Sequence, residues 1–341
     1  MKRFIQAVGT LLLGAAIVAG AWAQAPEKKK ITIAVGGKSL FYYLPLSVAE
    51  RKGYFKDEGL DVEIPDFPGG AKALQALVGG SADFVSGAYE HTINMVAKKQ
   101  PIKAVVLQLK YSAIVLLMPK EKAARYHSGR DLKGLKIGVT APGSSTNMFV
   151  NNLLAKDGLK PTEVSIVGVG VGAGAFAALE KGEIDALSNL DPVVTQLEST
   201  GKFAAVVDTR TEKGMKDVYG GDYMAAVIYV TDEFARKNPN TVQAVVNAIV
   251  RADKWIAKAT PQEIVDLMPV EYKAGNPSLY KQGLLKNMIG YSEDGMMSLK
   301  AAQNVYAVLD KFEPSVMAAG KMDLNATFDN SYVKKANSKY K

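Results

Sequence analysis

The 341-residue chain contains no cysteine. That absence excludes disulfides, thiol nucleophiles, cysteine-held metals and lipid attachment through an N-terminal cysteine. Histidine is nearly missing as well: His91 and His127 are the only two, with no spacing that would chelate a metal. Beyond the first 23 residues no apolar run is long enough to span a bilayer. No basic tract is interleaved with aromatics in the manner of nucleic-acid readers. The formal charge of +8 includes Lys2 and Arg3, and most other basic residues are scattered among acids. The densest basic clusters, Glu27–Lys30 and Lys334–Lys341, lie near the ends of the chain. Such a balance favours solubility and a mild attraction for anions over a nucleic-acid partner.

What is present begins with an address. Lys2 and Arg3 precede an apolar run from Phe4 to Ala19, and Ala21-Trp22-Ala23 fits the small-x-small cleavage rule. Residues 1–23 therefore read as a cleaved export signal. With no cysteine to carry a lipid, the mature chain is expected to be free in the periplasm. The remainder is long enough for two lobes of roughly 150 residues, each with its own core.

An alternating β-branched segment, Ile31–Val35, reads as a first strand and runs into Gly36-Gly37-Lys38-Ser39. Helical periodicity over Leu44–Lys52 stops at Gly53, and strands are predicted at Leu60–Ile64, Phe84–Ser86 and Ile102–Leu109. Between them lie helices at Ala71–Val78 and His91–Lys99. The rhythm restarts with a strand at Lys136–Val139 and a helix from Ser144 to about Ala155. Strands at Val164–Val169, Ala186–Leu187 and Ala204–Val207 alternate with helices at Ala173–Lys181 and Asp191–Ser199. Repeated β-α alternation predicts an α/β protein with largely parallel sheets. Crossovers between the two units are expected near Tyr111–Met118 and Tyr223–Val230. Four helices follow, over roughly 240–258, 261–268, 278–289 and 299–312, and are expected to pack on the first lobe. Lobe I is thus 31–112 plus 224–341, and lobe II is 113–223.

Ligands of open parallel sheets lie beyond the carboxyl ends of the strands. The most informative loop there is Ala141–Asn147, APGSSTN, where Ser144, Ser145 and Thr146 open a helix. Unpaired amides and partial positive charge at a helix start suit an anion. Lys38 offers a cation, and Tyr42 an apolar wall. Ser86 and Gly87 allow close backbone approach, Asn189 supplies an amide, and Tyr223 with Tyr42 suits a flat molecule. Asp191 before Pro192 reads as a helix cap. The glycine-rich run Gly168–Gly174 imitates a dinucleotide fingerprint but lacks its context, and reads as a loop entering a helix. Glu90 and His91 are neighbours on one helix and do not face each other as a dyad, so no catalytic residue, metal or cofactor is assigned.

Five segments together resemble a known family: GYFKDEGLDVE (Gly53–Glu63), ALQALVGGSADF (Ala73–Phe84), DLKGLKIGV (Asp131–Val139), PGSS (Pro142–Ser145) and ALEKGEIDAL (Ala178–Leu187). In order and spacing the chain is similar to the substrate-binding proteins of sulfonate, nitrate and taurine importers, and to the related thiamine-precursor-binding proteins. The resemblance covers roughly residues 31–230. It implies a type II periplasmic binding protein fold, with two parallel-sheet lobes joined by two crossover strands, a helical C-terminal extension and a hinge. It also implies a monomer that closes on a small organic anion and hands it to an inner-membrane ABC permease with its ATPase. Ser86, Ser144, Ser145, Thr146 and Asn189 match ligand contacts of that family, and Lys38 and Tyr42 fall in its first contact loop. Leu190 stands where many relatives carry tryptophan, a departure that weakens a sulfonate or taurine assignment. A thiamine-precursor-like pyrimidine, or a sensor role feeding a membrane receptor, are the alternatives.

Overall fold

The computed structural model describes residues 25–341; the predicted export signal, residues 1–23, lies outside the described residues. Ten strands are present among them: β1 (Lys30–Val35), β2 (Asp61–Glu63), β3 (Phe84–Ala88), β4 (Ile102–Leu109), β5 (Val115–Pro119), β6 (Lys136–Val139), β7 (Ser165–Gly168), β8 (Ala186–Asn189), β9 (Phe203–Asp208) and β10 (Ala226–Thr231). They form two five-stranded sheets, ordered β2-β1-β3-β10-β4 and β7-β6-β8-β5-β9. Strands β1, β2 and β3 pair in parallel, as do β6, β7 and β8. Strand β3 is buried along its whole length and β10 along nearly all of it. Burial on both faces explains why their sequences read as continuous apolar runs rather than alternating ones.

The two expected crossover runs differ from their prediction in one respect. Each enters the opposite sheet as an antiparallel strand: β10 runs antiparallel to β3 and β4, and β5 to β8 and β9. Each sheet is therefore mixed. A chain arriving from the other lobe enters a sheet from the opposite end, and an apolar run carries no signature of strand direction. The covalent links between the lobes are the short segment 110–114 and the longer 209–225, which holds the helix Glu212–Tyr219.

The 20-residue helix Pro239–Lys258 packs on β4 and on the helices Leu44–Arg51 and Ser331–Lys339. Its N-terminus is held by Glu27, whose carboxylate accepts from the backbone amides of Asn240 (3.0 Å) and Thr241 (2.8 Å). An acid at a helix start is favoured by the helix dipole. The helix buries Val242, Val245, Val246, Ile249 and Ile256 on one stripe, and Asp253 falls among them.

Asp253 is wholly buried and neither carboxylate oxygen has a hydrogen-bond partner. Burial first, and then the charge of Asp294, holds its carboxyl well above the usual aspartate range. A raised folded-state pKa means that the folded protein binds the proton more tightly than the unfolded chain. Stability therefore falls as pH rises past the unfolded value near 4. Asp253→Asn is expected to remove this pH-dependent loss and to raise the melting temperature more at pH 8 than at pH 4. Equal effects at both pH values in thermal melts would show that Asp253 does not titrate in this way.

Candidate functional site

The carboxyl ends of the parallel strands in both sheets open onto one seam. From the first lobe come Gly36-Gly37 after β1, the start of the helix Gly70–Val78, Glu90 and His91 after β3, and Tyr223 ahead of β10. From the second come Thr140–Ser145 after β6 and Leu190-Asp191 after β8. The two sides touch. The Ala71 amide donates to Ser144 Oγ at 2.9 Å, and the Phe41 amide to the Asp191 carbonyl at 3.2 Å. His91 Nε2 lies 3.4 Å from the Gly143 carbonyl. Ser144 thus caps, from across the seam, a helix that lacks a side-chain cap of its own, since its N-cap position is Gly69.

Two glycines make this approach sterically allowed. A Cβ at Gly69 would lie 2.8 Å from the Ala141 Cβ and 3.0 Å from Ser144 Oγ, and one at Gly37 would lie 2.7 Å from Val171 Cγ1. The lobes are therefore in a closed arrangement.

Within the seam a carboxyl group is surrounded by tyrosines. Glu90 is buried; its Oε1 accepts from the Tyr223 hydroxyl at 3.1 Å, and its Oε2 has no partner. The Tyr42 hydroxyl is also buried without a well-formed hydrogen bond, with the Ser145 side chain close by. Tyr42 and Tyr43 meet edge to face at 4.9 Å, and Tyr219 lies against Tyr223 at 4.3 Å. The Tyr219 hydroxyl is 3.0 Å from Ser112 Oγ. Burial, against the Tyr223 hydrogen bond, pushes the Glu90 carboxyl up to about 7. Burial first, and then the Glu90 charge, raises Tyr42, Tyr43, Tyr219 and Tyr223 above their ordinary values. His91 is pushed down to about 4 by burial, so it is neutral at pH 7; its Nδ1 lies 3.1 Å from the Tyr229 hydroxyl.

The ligand candidates singled out from the sequence, Lys38 apart, divide into two groups. Tyr42, Ser144, Ser145 and Tyr223 come together at the seam. Ser86, Gly87, Thr146 and Asn189 are used by the scaffold beneath it. The Ser86 hydroxyl accepts from Gln108 Nε2 at 2.9 Å, and Gly87 leaves room for the Tyr229 ring, which a Cβ would approach to 2.6 Å. Thr146 Oγ1 meets the Thr140 amide at 3.1 Å, and Asn189 Nδ2 donates to the Gly170 carbonyl at 3.0 Å. That last bond ties the glycine-rich run to β8. Lys38 directs its ammonium to Glu50 at 2.8 Å. Glu90, Tyr219 and Ser112 were not singled out for a ligand. Glu90 had one usable signal, a carboxylate directly after a buried strand end.

Asp191 does more than the cap read from the sequence. Its Oδ1 accepts from the Thr195 amide at 2.9 Å, while Oδ2 accepts from Asn287 at 2.8 Å and pairs with Arg210 at 3.1 Å. Arg210 also pairs with Glu198 (3.0 Å) and Asp208 (2.6 Å). Lys286 reaches Glu198 at 2.7 Å. The helix Pro277–Asn287 thereby joins the second-lobe helix Val193–Ser199, a contact between lobes that helix periodicity did not indicate.

Two mixed sheets, crossed twice by the chain and facing each other at their strand ends, define the fold of the periplasmic binding proteins. Among solved structures, the alkanesulfonate-binding protein SsuA of Xanthomonas axonopodis pv. citri superposes with a TM-score of 0.69 at 18% identity, covering 89% of this chain and 99% of that one. A chain from Bordetella bronchiseptica RB50 is much nearer, with a TM-score of 0.90 and 52% identity over 93% of this chain and 99% of its own. The family model described as NMT1/THI5 like matches residues 41–264, and the chain belongs to that family. YtlA of Bacillus subtilis is 25% identical over 309 residues, 89% of each chain. The 4-amino-5-hydroxymethyl-2-methylpyrimidine phosphate synthase THI13 of Saccharomyces cerevisiae is 26% identical over 265 residues, 74% of each.

Proposed function

We propose that this protein is a periplasmic solute-binding protein that closes on a small polar organic molecule at the seam and presents it to an inner-membrane ABC importer. The observation that carries this reading is the convergence of buried, incompletely paired polar groups at the meeting line of two lobes. Such groups are costly unless they are satisfied. A solute that bonds to both sides binds the closed form better than the open one, and so shifts the population toward closure. The neighbours in fold include an alkanesulfonate-binding protein, a periplasmic nitrate-binding protein and the ligand-binding component of an ABC-type import system, and among the described residues no helix is long and apolar enough to cross a membrane.

The organic anion expected from the sequence keeps the helix start at Ser144–Ser145 in its favour. Against it, Lys38 is engaged by Glu50, and Glu90 adds negative charge to the same seam. A synthase role like that named for the fungal relatives has less support: His91 is buried between Tyr229 and Gly143, and burial keeps it neutral.

A thermal-shift panel of sulfonates, carboxylates, nitrate and aminopyrimidines tests the reading. A true solute at a hundredfold excess over its Kd stabilises by about 2.7 kcal/mol, or roughly 5 °C for a protein of this size. Replacing Ser144 and Ser145 together by leucine is expected to abolish that shift while leaving circular dichroism unchanged. A shift that survives the double substitution would place the site elsewhere.

A further inference from the structure

We infer that the helix Pro277–Asn287, with the turn that follows it, is the pivot of the two lobes: it stays docked on the second lobe while the Gly69–Ser144 side of the seam opens. This rests on the lobes moving apart, which the solute-binding reading requires, and not on any particular solute.

The helix is fastened to the first lobe and to both linkers. The Tyr280 ring lies 4.6 Å from that of Phe41, and the Tyr291 hydroxyl donates to the Phe41 carbonyl at 2.8 Å. The Lys110 amide, in the shorter linker, donates to the Gly290 carbonyl at 2.7 Å. Toward the second lobe, Gly283 lets the helix approach Val193–Ser199 so closely that a Cβ there would lie 3.2 Å from Thr195 Oγ1. Asn287 bonds to Asp191 and Lys286 to Glu198, and Arg210 of the longer linker pairs with both of those carboxylates. Only about 30 Å³ of empty space is left where Pro192 and Gln196 face Leu279 and Tyr280.

The two sides of the seam differ in what parting them would cost. At the helix, separation would strip Asn287 from the buried Asp191 and admit water to a charged network, and a buried charge that loses a partner is expensive. At the other side the contacts are the Ala71–Ser144 bond and the longer approach of His91 to Gly143, all between neutral groups. Water replaces such bonds at little net cost. The linkers also border an open hollow of about 520 Å³, walled by Tyr111, Gly220, Gly221 and Met296 among others. Gly220 and Gly221 have φ of +85° and +152°, and a Cβ on either would meet nothing within 4 Å. Free space and permissive backbone are what a bending linker needs. Lys300 and Asp222 pair across this region at 3.0 Å, but both are exposed and can be hydrated apart.

Amide hydrogen exchange of the purified wild-type chain, followed by NMR without any solute, tests the inference. Two amides bond across the lobes: Phe41 to the Asp191 carbonyl, beside the helix, and Ala71 to Ser144 Oγ, on the opening side. The protection factor of Phe41 is expected to exceed that of Ala71 by about tenfold or more. Equal protection, or greater protection of Ala71, overturns the pivot. A second measurement uses the absence of cysteine: Gly283→Cys with Thr195→Cys creates a single candidate disulfide. The Cβ positions are 3.4 Å apart, close to the roughly 3.5–4.5 Å that a disulfide spans. The pair is expected to oxidise readily and to leave Ala71 protection within about twofold of the reduced form. A rise of about tenfold on oxidation would show that the helix leaves the second lobe when the seam opens, and overturns the inference. Thiols that stay free under oxidising conditions overturn it too, because the helices are then not held together. None of these readouts involves a solute, so the thermal-shift panel decides the solute-binding reading separately.

Discussion

Arg210→Met is expected to reduce the unfolding free energy by about 3–5 kcal/mol, the usual cost of stranding a buried charge. The guanidinium is 3% exposed and meets Asp191, which is 0% exposed, so solvent cannot take over the lost interaction. Methionine fills similar volume, and the loss is therefore electrostatic rather than a cavity effect. Asp191 would keep the Asn287 and Thr195 contacts, which hold the loop but do not neutralise the charge. Urea denaturation gives the measurement. Adding Asp191→Asn to Arg210→Met is expected to restore much of the loss, because the stranded charge is then gone. A single-variant loss below about 1 kcal/mol would mean that water reaches this network in solution.

Gly69→Val is expected to weaken solute binding about a hundredfold without unfolding either lobe. Gly69 is in extended backbone, with φ −178°, which valine adopts readily. The obstacle is across the seam, where even a Cβ would press on Ala141 and Ser144. Overpacking of this kind costs typically 1–3 kcal/mol, and here the cost falls on the closed form alone. Apparent affinity drops in proportion to the closed population that remains. Small-angle scattering of the variant should give a larger radius of gyration than the wild type in the presence of any solute found by the panel. An unchanged radius, with the solute-induced thermal shift intact, would show that closure does not pass through this contact.

The elements were legible where local chemistry is strong. The strand Ile31–Val35, the stop at Gly53, the APGSSTN turn and the long C-terminal helix all stand where their residues place them. Site residues were legible only in part. Ser144, Ser145, Tyr42 and Tyr223 do reach the seam, because strand-end loops in parallel sheets must emerge on one side. Ser86, Thr146 and Asn189 lie on those same ends but bond within their own lobes, and Gly87 makes room for the Tyr229 ring. A single residue of register separates a side chain that faces the seam from one that supports it. Lys38 looked free because its partner Glu50 lies a helix away in sequence, and side-chain direction is not written in spacing.

By itself, the sequence determined the α/β alternation, the two-unit organisation, the lack of thiol chemistry and the family resemblance. These follow from periodicity, composition and short motifs, all of which are local. Only the tertiary structure decided that both crossover runs become antiparallel strands, that Arg210 gathers three carboxylates, and that Glu90 lies among four tyrosines. Each of these depends on groups distant in the chain brought within a few ångströms, and the energies that matter there, desolvation and direct charge contact, exist only after folding has excluded water.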